Sequence, residues 1–143
     1  MGHLLAIARV PVKRGAVIPA TEAVVGVDDG VAGDARGVRA GRQVTVVFRE
    51  GWDDACRDLG VELPWTTRRA NLLIEGVPVP AKGRRLVIGA AVLEVTQETQ
   101  PCQVMEAAHR GLRAALTPDW RGGVCCRVVQ GGTIRIGDKV DVE

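Results

Sequence analysis

Serine and tyrosine are both absent from the 143 residues, and the absence of serine alone excludes serine hydrolase chemistry. Histidine occurs only at positions 3 and 109. If the stretch after Cys102 is one helix, Cys102 and His109 are separated by about 10 Å of rise, too far for the contacting nucleophile and base of a papain-like hydrolase. Aromatic residues number four, three Trp and one Phe. That is too few for a surface that stacks single-stranded nucleic acid, and no basic block forms a nucleic-acid arm, so no nucleic-acid partner is expected. No apolar run reaches the roughly 18 residues of a membrane span, and the N-terminus lacks the pattern of a cleaved leader. A cytoplasmic protein without a membrane partner is therefore expected. In that compartment thiols stay reduced, so Cys56, Cys102, Cys125 and Cys126 are read as core residues, ligands or reactive groups rather than disulfides. The lack of any CxxC pair argues against structural zinc. The lack of GxGxxG after a strand, and of GxxxxGK[ST], removes the familiar nucleotide cradles.

What is present describes one globular domain spanning 1–143. Hydrophobic residues make up 46% and charged residues 25%, with a net charge of +2, and a chain of this length can bury a single core. All but Lys13, Lys82 and Lys139 of the nineteen basic residues are arginine. The planar guanidinium fork suits discrete phosphate or carboxylate sites.

Hydrophobic patterning predicts mostly strands. "HLLAIARV" ahead of Pro11, "RQVTVVF" between Gly41 and Gly51, and "ANLLIEG" are Val, Ile and Leu-rich runs closed by Gly or Pro. "RRLVIGAAVLEVTQ" reads as two strands joined near Gly89, and "VCCRVVQGGTIRIGDKVDVE" as three with turns at Gly131-Gly132 and Gly137-Asp138. The similar phrases "VIGAAVLEV" and "RIGDKVDV" hint at a repeated hairpin. "GWDDACRDLG" predicts a short helix with Trp52, Cys56 and Leu59 on one face and Gly60 as its stop, which makes Cys56 a core residue. "CQVMEAAHRGLRAAL" predicts a second helix, with Val104, Met105, Ala108, Leu112, Ala115 and Leu116 at helical spacing. The expected fold is a mainly β, barrel-like single domain with about two helices.

Four polar clusters carry candidate chemistry. In "LEVTQETQPCQV", Pro101 favours a helix start beside Cys102, where free backbone N–H groups and the helix dipole favour a thiolate. The polar residues from Thr96 to Gln100 make burial of this cysteine less expected than for Cys56. In "WRGGVCCRVV", Arg121 precedes two glycines that allow close backbone approach to an anion, while Cys125 and Cys126, adjacent on a strand, point to opposite faces. "TTRRANLLI" brings Arg68, Arg69 and Asn71 to the start of a strand. "GVAGDARGVRAGRQVTVV" places Gly33-Asp34 and Arg42 at the edge of another.

In their order along the chain, "GVAGD…GRQVTVV", "RRANLLIEG", "GRRLVIGAAVLEVTQETQPC", "RGGVCCRVVQGG" and "IRIGDKV" resemble the MOSC family, named for the C-terminal domain of molybdenum cofactor sulfurases. The resemblance runs from about Leu4 to Val142 and fits a small stand-alone member. It implies a MOSC-type β-barrel-like fold in which the cysteine after the "LEVT" strand, Cys102, carries sulfur as a persulfide or ligates molybdenum in members that bind molybdopterin. By the same resemblance Arg69, Asn71 and Arg121 contribute to the cofactor pocket, together with Arg42, Arg68 and Thr96. Implied partners are a cysteine-desulfurase-like, pyridoxal-phosphate-dependent sulfur donor or an electron-transfer reductase. The alternatives are a reductase of N-hydroxylated substrates using bound molybdenum cofactor, with electrons supplied from outside, and a non-catalytic adaptor that keeps the fold.

Overall fold

Short β-branched runs punctuated by Gly and Pro fold as strands wherever a closed sheet can bury their inward side chains. The computed structural model describes residues 2–143. Its strands are β1 (Gly2–Arg9), β2 (Ile18–Ala20), β3 (Glu22–Gly26), β4 (Gly30–Val31), β5 (Val44–Phe48), β6 (Leu72–Glu75), β7 (Arg85–Ile88), β8 (Ala91–Glu98), β9 (Val124–Gln130), β10 (Gly132–Arg135) and β11 (Lys139–Val142). Helices α1 (Arg49–Leu59), α2 (Gln103–Ala108) and α3 (Leu112–Ala115) and two 3-10 turns, Trp65–Arg68 and Pro118–Trp120, complete the chain.

The main sheet runs β11-β7-β8-β9-β5-β6-β1, and β11 pairs back onto β1 through Gly2 with Val140 and His3 with Lys139. Seven strands therefore close into a barrel. The short β2 pairs with the far end of β1, at residues 7–9. A second sheet, β10-β3-β4, packs alongside, with Val25, Val31 and Ile134 in the same apolar core as the barrel strands. Among the described residues, β5 and β6 form the single parallel pair, and α1 lies in the crossover that such a pair needs. No helix among the described residues is long and apolar enough to cross a membrane.

Alternation along the strands separates two layers. On β5, Val44, Val46 and Phe48 point into the barrel, whereas Val47 points outward with Leu73 of β6. Helices α1, α2 and α3 cover that outward face with Trp52, Ala55, Cys56, Met105, Leu112 and Leu116. The helix stop at Gly60 is as expected: its φ of 69° is left-handed, and its N–H returns to the Arg57 carbonyl. Helices cover Val47 but stop short of Thr45, and the uncovered end of β5 becomes the site described below.

Two expectations are corrected. Residues 103–116 form two helices, because Gly111 takes φ 88° and its N–H is captured by Glu106 Oε2 at 3.0 Å, which ends the first helix at His109. Met105, Leu112, Ala115 and Leu116 still share the core, but Val104 and Ala108 are exposed. The repeated hairpin is also absent: β7 and β8 pair with each other, but the Gly137 turn sends β10 to β3 and β11 to β7. The strand β2 carried no recognisable pattern in the sequence.

Candidate functional site

Asn71 and Asp34 organise the uncovered end of β5. Asn71 is 1% exposed and stands just before β6. Its side-chain amide donates to the Ala8 carbonyl at 3.1 Å and to Asp34 Oδ2 at 2.8 Å, and its Oδ1 accepts from the Thr45 N–H at 3.1 Å. Asp34 further accepts from the Val10 N–H at 2.9 Å, and from the Arg36 N–H, Nε and Nη2 at 2.8, 3.0 and 2.9 Å. One buried carboxylate thus fixes the start of the loop 34–43 against the barrel. Burial alone would raise the Asp34 pKa, but the Arg36 guanidinium and the Val10 and Arg36 backbone donors outweigh it and hold it near 2, below the ordinary value of 3.8.

A depressed folded-state pKa means that the associated stability is present above the unfolded value and is lost as pH falls. Between about pH 4 and pH 2 the fold is expected to lose roughly 2 kcal/mol through this group. Urea unfolding measured across that range checks it, and Asp34→Asn should flatten this part of the pH profile.

The pinned loop carries Arg36, Arg39 and Arg42, which with Arg68, Arg69, Asn71, Thr45, Thr99, Cys102, Met105 and Gly122 enclose a cavity of about 210 Å³. The neighbouring arginines at 68 and 69 diverge because the 3-10 turn ends at Arg69 with φ 63°. A non-glycine residue in that region is strained by about 1–3 kcal/mol. Here the strain is held by hydrogen bonds: Arg36 Nη1 donates to the Arg69 carbonyl at 2.5 Å, and Arg69 Nη2 to the Gly15 carbonyl at 2.7 Å.

Arg68 turns inward and is 8% exposed. Its Nε donates to the Gly122 carbonyl and its Nη2 to the Thr99 carbonyl, both at 2.8 Å. Both partners are neutral carbonyls, and among the described residues no carboxylate forms a salt bridge with it. Burial lowers its pKa from the ordinary arginine value, as does Arg42, while Cys102, Cys125 and Glu98 pull the other way. Buried charge without a salt-bridge partner is costly, and here two carbonyl acceptors and the more distant Glu98, Cys102 and Cys125 offset that cost in part. Among the described residues the side chains of Arg39 and Arg42 form no hydrogen bond or salt bridge either.

Cys102 is the exposed cysteine of the four. It stands at the N-cap of α2, with Pro101 before it rather than inside the helix, and its carbonyl accepts from the Met105 N–H at 2.9 Å. Cys56 belongs to the core beneath the helices, as expected. Cys125 and Cys126 do face opposite sides: Cys126 is in the barrel core, where burial and then Cys125 push its thiol pKa far up, while Cys125 Sγ lies 3.2 Å from Thr99 Oγ1.

Of the residues expected from sequence, Arg42, Arg68, Arg69, Asn71 and Cys102 come together around one cavity. Arg121 and Thr96 do not line it. Arg121 Nη1 reaches Asp58 at 2.7 Å and the Ala115 carbonyl at 3.0 Å, tying α1 to α3; from the same loop it is Gly122 that faces the cavity. Thr96 Oγ1 donates to the Gly41 carbonyl, and to the Cys125 carbonyl at 3.1 Å, so it braces the loop carrying Arg42. Arg36 and Arg39 were not singled out from the sequence, although arginines three residues apart at 36, 39 and 42 in a glycine-rich loop were the available signal.

Several solved structures share the fold. The YuaD protein of Bacillus subtilis superposes with a TM-score of 0.80 at 19% identity, covering 99% of this chain and 96% of that one. YiiM of Geobacillus stearothermophilus gives 0.70 at 18% identity over 99% and 73% of the two chains. YiiM of Escherichia coli gives 0.71 at 15% identity over 99% and 69%. No curated protein sequence matches the chain significantly. The MOSC domain family model matches residues 27–141, which include every residue lining the cavity. With barrel, cavity and sequence match in agreement, the chain belongs to the MOSC domain family, a family associated with the molybdenum cofactor.

Proposed function

We propose that this protein binds the anionic end of the molybdenum cofactor in the arginine-lined cavity and uses Cys102 as the thiol that ligates the metal or carries sulfane sulfur. The observation that carries the reading is Arg68, a nearly buried guanidinium with only carbonyl partners. The donor set fits the cofactor. Guanidinium groups at 39, 42 and 68 suit a phosphate, and an exposed thiol suits a soft metal. Among the described residues no cluster of three His, Cys, Asp or Glu could hold a bare ion, so a metal held here must bring most of its ligands with it. When bound, the cofactor would supply a molybdenum centre for oxygen-atom or sulfur chemistry. The cavity of about 210 Å³ is smaller than the roughly 300–1,000 Å³ of a typical cofactor site, so it would take the phosphate-bearing end alone.

The chain's own residues then have separate tasks. Arg68 and Arg42 neutralise the anion, Arg36 and Arg69 hold each other in place, and Cys102 presents a nucleophilic or liganding sulfur at the mouth. A cytoplasmic setting keeps that thiol reduced. A desulfurase-like sulfur donor or an electron-transfer reductase would act from outside.

Protein purified under reducing conditions is expected to carry molybdenum with pterin fluorescence, or sulfane sulfur on Cys102. Cys102→Ala should lose the metal or the sulfur while retaining phosphate binding. Absence of both species, or identical content in the variant, would overturn the proposal.

A further inference from the structure

Cys102 and Arg42 line not one space but two. Beside the arginine-lined cavity lies a second, more open depression of about 500 Å³, bordered also by Gln97, Glu98, Gln100 and Arg113. Its volume falls within the range of small-molecule sites, roughly 300–1,000 Å³. Among the described residues the side chains of Arg42, Gln97, Glu98, Gln100 and Arg113 form no hydrogen bond or salt bridge, although surface charges on this protein pair readily elsewhere, as Glu94 does with both Arg85 and Arg127. Charge of both signs converges on one depression without being consumed by internal pairing.

That pattern selects a ligand class. A simple anion meets Glu98, and a simple cation meets Arg42 and Arg113. A zwitterion satisfies both, with an ammonium toward Glu98, a carboxylate toward the guanidinium groups, and the two glutamine amides completing the hydrogen bonds. Beside the exposed sulfur of Cys102, such a molecule would present its own reactive group to the thiol.

We infer that this second depression is the donor site for sulfur transfer, and that it takes a free α-amino-acid persulfide. The inference rests on the sulfur-carrying reading of Cys102. The step is an exchange without net oxidation. The Cys102 thiolate attacks the terminal sulfur of R–S–SH, a new S–S bond forms at Cys102, the donor's S–S bond breaks, and its electron pair leaves as R–S⁻. A persulfide borne on a protein cysteine offers the same sulfur without the ammonium and carboxylate, so charge recognition separates the two sources.

The test compares loading of Cys102 by cysteine persulfide with loading by the persulfide of N-acetylcysteine methyl ester, which lacks both charges. Each rate is normalised to that donor's rate with a free small thiol and read as the gain of one sulfur in intact mass, with Cys102→Ala as the blank. The zwitterion is expected to load about tenfold faster, the factor that one charge-assisted hydrogen bond supplies. Glu98→Gln and Arg113→Gln should each remove at least about a threefold part of that preference. Equal normalised rates for the two donors, or a preference unchanged in both variants, would overturn the inference while leaving sulfur carriage intact. Failure of every donor to load Cys102 would overturn it together with sulfur carriage, and the molybdenum and pterin measurement would then stand alone.

Discussion

Arg68→Met is expected to lower the affinity of the cavity for a phosphomonoester by between about ten- and a hundredfold, since a hydrogen bond to a charged group contributes about 1.5–3 kcal/mol. The same change leaves the Gly122 and Thr99 carbonyls without their donor, which should cost about 2–4 kcal/mol of stability. These effects separate in companion variants. Arg68→Lys retains the charge but cannot bridge two carbonyls with one planar fork, so it should keep more affinity than stability. Arg39→Gln touches no internal partner among the described residues and should weaken binding several-fold with an unchanged urea midpoint. Calorimetric titration with a phosphomonoester, paired with urea unfolding, reads both quantities. An Arg68→Met protein that unfolds at a lower midpoint yet binds the phosphomonoester unchanged would reduce Arg68 to a structural brace.

Gly123→Ala should be among the most damaging single methyl additions near the site, costing about 4 kcal/mol or preventing folding. Gly123 has φ 94°, and a Cβ there would fall inside the van der Waals shell of the Val46 carbonyl and against Val47. Its own carbonyl accepts the Thr99 N–H and its N–H donates to the Trp120 carbonyl, so the loop cannot swing away without releasing both. Relief would require β5 to move, and with it Thr45 on the cavity wall. Gly60→Ala provides the control: the same type of backbone position, with φ 69° and open space around it, should cost only about 1 kcal/mol. Urea denaturation of the two variants checks the difference.

The barrel strands and the first helix were legible in the sequence because each is a short β-branched or amphipathic run bounded by Gly or Pro, signals that act over a few residues. The break at Gly111 was not, because it depends on Glu106 reaching the Gly111 N–H, while the apolar spacing across the break still satisfies one continuous helix. The candidate site shows the same division. Cys102 stood out through its sequence neighbours, and Arg69 and Asn71 through the family resemblance. Arg121 was drawn in by the glycines that follow it, yet those glycines bring the Gly122 backbone to the cavity and leave the Arg121 guanidinium with Asp58. Arg36 owes its position to Asp34, and Asp34 to Asn71 thirty-seven residues away, a dependence that no local pattern displays.

Barrel closure through β1 and β11 also sets a timetable for biosynthesis. During translation at about 5–20 residues per second, β1 leaves the ribosome many seconds before β11 exists to cover its second edge. Through that interval the Gly2–His3 end of the edge stays open, while β2, made soon after β1, pairs with residues 7–9, leaving a short edge of the kind that can template association with other chains. Closing the barrel is therefore the last pairing open to the chain as it is made, and Gly2 and His3 are the residues that wait for it.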